Sequence, residues 1–434
     1  MEDGALRRGG GRGLFLAGLV PCLVLGLSSL GPGGDPASFG GYFKNFSIVL
    51  VPPEITAGGS TLDRSAMGAV SNRLRLKLAL QPSKSLSFDV EYDLSPRIQD
   101  SRLFNESLFL PGLSLGGYRL VDFRGRLSPG PGRTPESFAL FHNLDRFVVT
   151  LKSGQTDVLI GRQAIAWGSA RVVNPTDILA PFAFNELDKE ERTGVDALRV
   201  RVSLGELSEL DAGVVAGDRL RTRTSALFLR GKVHVLKTDV SALTMAFRGH
   251  LLLGLDLARS VGGAGTWIEA AYVVPEAFLR NAEGEKDYVR ASAGLDYNFS
   301  SKVYGFAEYH FSSAGRSRPE AYLSSLGTTP YKDGAVYLLG RHYLSVGTTY
   351  QITPLLPFTG LVIANLGDGS FVLAPSADYN IAQDVDIAAG AYVGIGRRPE
   401  LVGLPPGPSV QPNLLHSEFG SYPRVVYVSF RVYF

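Results

Sequence analysis

The chain combines a nearly neutral charge with an even mixture of apolar and polar residues. It has 434 residues, of which 45% are hydrophobic and 19% charged, a formal net charge of +2 and a mean hydropathy of +0.08. Its basic residues are spread along the chain, so we expect no nucleic-acid partner. After residue 31 no run of roughly 18 apolar residues occurs, which excludes a membrane-spanning helix there.

The first 31 residues have the layout of a secretory signal peptide. Arg7, Arg8 and Arg12 precede an apolar run at residues 14–30, and small and turn-forming residues follow. We expect segment 1–31 to be removed, with cleavage between about residues 28 and 37. The alternative is lipidation at Cys22, although Pro21 precedes it where a lipoprotein signal needs a small residue. Without Cys22 the mature chain has no disulfide and no thiolate metal site.

From residue 38 to 434 one unit recurs, a segment of about ten alternating residues followed by a turn. Alternation of this kind predicts strands with one apolar and one polar face, and only a closed barrel of strands satisfies every backbone group inside a membrane. The candidate strands are 40–50, 70–81, 85–94, 117–127, 146–152, 155–163, 194–205, 208–217, 224–233, 238–248, 250–259, 265–274, 287–299, 301–312, 341–352, 356–365, 369–380, 383–396 and 422–434.

The strand number must be even in a closed bacterial barrel. The list holds about 19 candidates and therefore contains an error. The weakest region is 96–116, where residues 101–110 leave room for a hidden strand. We predict an all-β fold, a closed antiparallel transmembrane β-barrel of about 18 strands, with 16 and 20 as the alternatives.

The clearest hairpin covers residues 70–93. Leucines at 74, 76, 78 and 80 alternate with basic residues, and after a turn aromatic and apolar residues alternate with acidic ones. A turn centred on Ser83 pairs Arg73 with Asp93, Arg75 with Glu91, and Lys77 with Asp89. Because Arg or Lys facing mid-bilayer lipid costs about 2 to 4 kcal/mol, these charges belong on the lumen side.

Other strands extend this polar face around the barrel. The predicted pore-lining residues are Arg73, Arg75, Lys77, Asp89, Glu91, Asp93, Arg124, Arg126, Arg199, Arg201, Arg290 and Arg431. Both charge signs are present in nearly equal number, so we expect a water-filled lumen without a packed apolar core. The basic residues of the first strands and Arg431 favour a weak preference for anions.

A distinctive motif begins where the strand near 155–163 ends. It reads Gly161-Arg162-Gln163, then Trp167-Gly168, then Asn174-Pro175-Thr176-Asp177, and the last four residues are a turn signature. The connection 163–193 is too polar for lipid, yet its aromatic residues need partial burial. We predict that it folds into the barrel mouth as a constriction loop, with Arg162, Trp167, Arg171, Asn174 and Asp177 as its functional residues. An ordinary extracellular loop is the alternative.

The last ten residues, 425–434, form a strand with two different faces. Val426, Val428 and Phe430 share one face, whereas Ser429 and Arg431 lie on the other. Lipid on one side and water on the other explain this pattern. With the carboxyl terminus in the periplasm, the short turns near 81–84, 153–155, 300–301, 353–355 and 381–383 fall on the periplasmic side, and the long connections 163–193, 313–340 and 397–421 lie outside the cell.

Three segments of the sequence resemble the corresponding segments of Gram-negative outer-membrane β-barrels classed as porins. They are the Gly-Arg-Gln, Trp-Gly and Asn-Pro-Thr-Asp motif beginning at Gly161, the opening segment 41–46, and the terminal Phe434. The resemblance is specific for about 40 residues around Gly161 and diffuse elsewhere. It implies a porin-like barrel in the bacterial outer membrane, inserted by the barrel assembly machinery, and leaves the solute open.

Catalysis has little support in the sequence. The six histidines are scattered without metal-ligand spacing, and no nucleophile elbow or phosphate loop occurs, so we expect no enzyme activity, cofactor or metal. Glu308 and His310 on one inward face are the best catalytic pair available, and a lumen-lining role explains them equally well.

Two functional classes remain after this exclusion. One is a passive channel for small hydrophilic solutes, with lipid and lipopolysaccharide around it and a homotrimer as an open option. The other is a barrel that houses a partner such as a multihaem cytochrome, or an export barrel. No Cys-x-x-Cys-His motif occurs, so the chain does not carry haem itself.

Overall fold

A computed structural model describes residues 37–62, 65–105, 117–130, 132–182, 184–279, 285–333, 336–403 and 412–434. The predicted signal peptide with Cys22 lies outside the described residues, as do residues 106–110 of the segment that leaves room for a hidden strand.

Eighteen antiparallel strands form a closed barrel, which confirms the predicted fold and strand number. In chain order they are β1 Ala37–Val51, β2 Met67–Ser83, β3 Leu86–Gln99, β4 Phe138–Ser153, β5 Thr156–Gln163, β6 Val195–Ser203, β7 Glu209–Ala216, β8 Ala226–Val235, β9 Thr238–Phe247, β10 His250–Val261, β11 Ala264–Val274, β12 Tyr288–Asn298, β13 Val303–Ser312, β14 His342–Thr353, β15 Leu356–Asn365, β16 Phe371–Ala382, β17 Val385–Ile395 and β18 Arg424–Tyr433. Pairing of β1 with β18, from Tyr42 opposite Tyr433 to Val51 opposite Arg424, closes the barrel.

The surplus candidate strand is 117–127, whose prediction as a barrel strand is wrong. Only Gly125–Ser128 is extended, and it pairs with residues 140–142 of β4. The reason is a difference in length, because β4 has 16 residues whereas β5 has 8. The end of β4 that β5 does not reach has unpaired backbone groups, and Gly125–Ser128 pairs with them. A short helix, Arg102–Asn105, occupies the start of the segment 101–110.

The register predicted for the β2–β3 hairpin is wrong by two residues. Arg75 lies opposite Asp93 and Lys77 opposite Glu91, while Ala79 lies opposite Asp89. The ladder shifts between Leu80 and Ser83, and the turn closes with Ser83 opposite Leu86. Pro82 in this stretch has no N–H to donate, which favours an irregularity there. A shift of two residues keeps every side chain on its predicted face.

The strands alternate between an exposed apolar outer face and a buried or polar inner face. On β8, Leu227 and Leu229 are 57% and 52% exposed, whereas Phe228 between them is 1% exposed. On β18, Val426 and Val428 point outward and Ser429 is buried. Since the exposed side carries the aliphatic residues and the inner side carries the charges, the barrel has the polarity of a protein surrounded by lipid.

The two ends of the barrel differ in the length of their connections. Both Ala37 and the carboxyl terminus lie at the end with short turns, and the long connections 164–194, 313–341 and 396–423 lie at the other. The remaining elements are the helices Tyr322–Ser325 and Thr329–Lys332, the 3₁₀ turns Asp218–Leu220, Pro319–Ala321 and Phe419–Ser421, and a small sheet of Ile55–Ala57, Ser60–Leu62 and Glu400–Leu401. Among the described residues no helix is long and apolar enough to cross a membrane.

Candidate functional site

Residues 164–194, called here the inner segment, leave β5 and bind side chains on the inner face of the barrel. The Trp167 ring packs against Phe228 of β8 at 4.8 Å, and its Nε1 donates to Asp211 of β7 at 3.3 Å. Ile165, Ile178 and Leu179 extend an apolar cluster with inward residues of β8 to β11. The expectation of a lumen without an apolar core is therefore wrong on this side, because the inner segment supplies that core itself.

Glu269 on β11 binds residues 170–176 of the inner segment, which include the Asn-Pro-Thr-Asp turn. One carboxylate oxygen accepts hydrogen bonds from the backbone N–H and the hydroxyl of Thr176, both at 2.7 Å. The other oxygen accepts from Ala170 N at 3.1 Å and from Asn174 Nδ2 at 3.3 Å. Four donors therefore converge on one fully buried carboxylate.

Glu308 on β13 holds the preceding residues in the same way. Its carboxylate accepts from the backbone N–H groups of three successive residues, Arg171 at 2.6 Å, Val172 at 3.2 Å and Val173 at 3.1 Å. The indole Nε1 of Trp267 adds a fourth bond at 3.1 Å. His310, which the sequence offered with Glu308 as the best catalytic pair available, bonds through Nδ1 to Ser292 Oγ at 2.8 Å.

Gly168 explains the Trp-Gly part of the motif. Its φ is +106°, and a Cβ there would lie 2.6 Å from Glu269 Oε2. A side chain at position 168 would therefore be strained and would also displace the Glu269 carboxylate. The motif residues Gly168, Asn174 and Thr176 are thus brought together by a single residue of the wall.

The far end of the inner segment binds the opposite side of the barrel. Asp188 accepts from Lys44 of β1 at 2.9 Å and from Arg73 of β2 at 3.0 Å. Glu190 accepts from Lys44 at 2.5 Å, and Glu191 contacts both Arg75 and Lys77. The inner segment therefore joins the acidic wall at β11 and β13 to the basic wall at β1 and β2.

Arg75 is the centre of a buried charge cluster and is 2% exposed. It donates to Asp93 at 2.5 and 2.7 Å, to Asp145 at 3.0 Å and to Glu91 at 2.9 Å. Glu91, Asp145 and Glu191 have oxygens within 4.8 Å of one another, a spacing that also suits a metal ion. Because the Arg75 guanidinium bonds all three, the cation of this cluster is Arg75.

The other predicted pore-lining residues fall into two groups. Three lie on barrel strands and pair with a carboxylate of another strand: Arg199 with Asp211 at 2.6 Å, Arg201 with Asp157 at 3.1 Å and Arg431 with Asp378 at 2.5 Å. Arg290, also on a strand, donates to Asn174 O of the inner segment at 3.4 Å. Asp89 is half-buried. Arg124 and Arg126 are not on a barrel strand, which corrects their predicted placement. Arg124 pairs with Asp122 at 2.8 Å, and Arg126 donates to Pro129 O at 2.9 Å.

Arg162 and Asp177 lie at the two ends of the motif. Arg162 donates to both oxygens of Asp196 on β6, at 2.7 and 2.9 Å. Asp177 contacts Arg192 within the inner segment. Burial raises the pKa of Asp177 to about 6, although Arg192 acts in the opposite direction. Arg171 pairs with Asp296 of β12 at 2.6 Å and lies over the Trp267 ring.

Another buried carboxylate, Glu418, links the long connections 396–423 and 313–341 to the short turn 366–370 at the same end of the barrel. Glu418 accepts from Leu339 N at 2.9 Å and from Asn365 Nδ2 at 2.8 Å, and it also contacts the Tyr343 hydroxyl. Its own N–H donates to Asp368 at 2.7 Å. Burial raises the pKa of Glu418 to about 7.

Sequence reasoning missed Lys44, Glu269 and Glu418 as functional residues and assigned Glu308 no contact with the motif. The signal for the two wall glutamates was their position, since each is an acidic residue on the same face as buried neighbours. Trp267 and Ala271 flank Glu269 at alternate positions on β11 and are both buried.

Two cavities lie between the inner segment and the wall. One of about 340 Å³ lies beside β13 to β15 and is lined by Arg171, Phe182, Arg192, Thr348 and Thr359 among others. The other, of about 240 Å³, lies beside β1 to β4 and is lined by Arg73, Arg97, Ser95 and Asn143 among others. Charged and hydroxyl side chains line both cavities, so both suit water and polar solutes.

The chain is similar in structure to outer-membrane proteins of known structure. No protein-family model and no curated protein matches it. Acinetobacter baumannii OccAB2 matches with a TM-score of 0.55 at 11% identity, over 92% of this chain and 98% of that chain. The outer membrane protein OprD from Pseudomonas aeruginosa gives 0.53 at 10% identity over 92% and 94%, and Pseudomonas aeruginosa OccK7 gives 0.53 at 11% over 92% and 99%. At such identities the likeness establishes the closed barrel fold.

Proposed function

We propose that the protein is an outer-membrane porin, a passive channel for small hydrophilic solutes. The observation that carries the proposal is the inner segment, which is bound to Glu269 and Glu308 on one wall and to Lys44 and Arg73 on the other. A segment tied across the lumen narrows the passage, and a cavity lies on each of its sides. The named structural neighbour OprD is an outer membrane protein, which supports the location.

In this proposal the inner segment is the constriction loop and the carboxyl terminus faces the periplasm. The short turns then lie on the periplasmic side and the long connections outside the cell, as in other bacterial barrels. The lumen has mixed charge. We assign the weak preference for anions to Arg73 and Lys77, whose side chains stay 36% and 38% exposed although each pairs with an acidic residue of the inner segment.

Reconstitution in a planar bilayer tests the function. Purified, heat-modifiable protein should give discrete conductance steps, and reversal potentials in a salt gradient should report weak anion selectivity. Liposome swelling with uncharged sugars of increasing size then sets the size limit. Assembled barrels that neither conduct nor admit the smallest sugar would overturn the channel and favour a barrel that houses a partner protein.

A further inference from the structure

Two wall carboxylates, Glu269 and Glu308, accept most of the hydrogen bonds that residues 170–176 donate to the barrel wall. Glu269 is 0% exposed and Glu308 is 1% exposed, and they lie on strands separated only by β12. Each accepts four hydrogen bonds, and seven of these eight donors belong to residues 170–176 or to their side chains. Hydrogen bonds to an ionised acceptor are stronger than hydrogen bonds between neutral groups.

The geometry at Glu308 is that of an anion bound by a backbone nest. Three successive N–H groups, from Arg171 to Val173, point at one carboxylate, and such a concave row of amides favours an anion. These amides belong to an irregular stretch in which no neighbouring strand accepts them. Without the carboxylate these donors would lack a protein acceptor, which is costly for the buried N–H of Val173 in particular.

We propose that Glu269 and Glu308 are positioning residues that hold residues 170–176 in one conformation, and that Glu308 is the resident anion of a backbone nest. The proposal deepens and rests on the proposed channel function, since it names the groups that set the constriction. A carboxylate is required for charge and for its four acceptor sites. A glutamine at position 308 has the same shape but would direct an NH₂ group at N–H donors.

An empty nest should bind a small free carboxylate. Glu308→Ala removes the resident anion and leaves a space of the size of the lost side chain, where formate can accept the same N–H bonds. Glu308→Gln keeps the space filled, so formate has no room. Comparison of Glu308→Ala with Glu308→Gln therefore distinguishes two cases. In one the N–H groups require an anion at position 308, and in the other they require only a side chain of that size.

The contacts by which Glu269 and Glu308 hold residues 170–176 are called here the clamp. Hydrogen–deuterium exchange of residues 168–178 measures the clamp directly in assembled, heat-modifiable protein. In Glu308→Ala these amides should exchange roughly tenfold faster or more than in the parent, and sodium formate should restore slow exchange whereas sodium chloride at equal ionic strength should not. Glu308→Gln should exchange fast with either salt. The matched control is Asp386→Asn on β17, which removes one carboxylate that bonds Asn380 Nδ2 at 3.0 Å instead of the inner segment, and its exchange at 168–178 should equal that of the parent.

Single-channel recording of the same variants separates this inference from the channel proposal. Glu308→Ala should flicker between substates in chloride and become steady in formate. Unchanged exchange in Glu308→Ala, or fast exchange that formate leaves fast, overturns the clamp even if the protein conducts. A parent protein that does not conduct overturns the channel, while the exchange result still decides the clamp. If Glu308→Ala does not assemble, Glu269→Gln takes its place, and exchange at 168–178 as slow as in the parent overturns the clamp.

Discussion

Arg75 and Asp93 form a two-bond ion pair across β2 and β3, with donor–acceptor distances of 2.5 and 2.7 Å. Both residues are at most 4% exposed. They lie directly opposite each other in the ladder, so the register of the hairpin places the two charges in contact on the lumen side. The same guanidinium also reaches the inner segment through Glu191, which links the wall to the constriction.

Removing Arg75 should be strongly destabilising. Arg75→Ala leaves Asp93 buried without its cation, whereas Asp145 keeps Arg146 at 2.6 Å. Breaking a buried ion pair costs about 3 to 5 kcal/mol. Asp93→Asn should cost less, because Arg75 keeps Asp145 and Glu91 as partners. The temperature at which the folded band disappears from a denaturing gel measures the order. Equal temperatures for Arg75→Ala and Asp93→Asn would contradict it.

Adjacent residues of β2 should differ sharply in their tolerance of charge. Leu76→Arg places a cation against lipid at a cost of about 2 to 4 kcal/mol, whereas Lys77→Leu removes a cation from the water-filled side. The yield of assembled protein in outer-membrane fractions should therefore fall far more for Leu76→Arg. A lower yield for Lys77→Leu would show that the faces of β2 are reversed.

Shortening the inner segment should widen the pore. Deletion of residues 182–191 removes Asp188, Glu190 and Glu191, which join the segment to the basic wall, so single-channel conductance should rise. A deletion of equal length within 313–340 is the control and should change conductance less. Arg171→Glu reverses one charge beside the larger cavity and should move the reversal potential toward cations. Conductance unaltered by the first deletion would return the segment to the status of an ordinary loop.

Gly168 should tolerate no side chain, in contrast to a turn glycine whose φ is also positive. In Gly168→Ala the added Cβ meets the Glu269 carboxylate, and φ is +106°. Gly154→Ala is the control, since its φ is also positive at +60° but nothing lies within 4 Å of the added Cβ. We expect unstable open-channel current only in Gly168→Ala, recorded at one voltage for both variants. Identical current traces for the two variants would show that Gly168 is not needed for the contacts of Glu269 with the inner segment.

The contact between the long connections should weaken as pH rises. Burial raises the pKa of Glu418 from 4.5 to about 7, so the folded state binds more protons than the unfolded state between these values. The free energy of the Glu418 contacts therefore falls as pH rises from about 4.5 through about 7. Exchange at residues 338–343 should be faster at pH 8 than at pH 5.5 after correction for intrinsic rates. Glu418→Gln should remove this difference, and a difference that persists in it would exclude Glu418 as the titrating group.

Much of the architecture follows from the sequence alone, because a strand's period of two is a local property. The alternation predicted the barrel and the outward face of residues such as Leu76 and Val428, and together with the even strand count of closed bacterial barrels it predicted 18 strands. A shift of the β2–β3 register by two residues left these faces intact. Segment 117–127 was wrongly predicted as a barrel strand because its residues alternate as those of a strand do. Where this segment lies depends on the unequal lengths of β4 and β5, which its own pattern does not contain.

The contacts of the motif were decided only by the tertiary structure. Glu269 lies 93 residues from Thr176 and Glu308 lies 137 residues from Arg171 along the chain. No local pattern encodes which of many inward carboxylates meets a given loop, since that depends on strand stagger and on the path of the loop. The sequence by itself therefore determined which side chains face lipid and which face the lumen. Closure of the barrel decided which of the lumenal charges meet, because it brings distant strands around one shared interior.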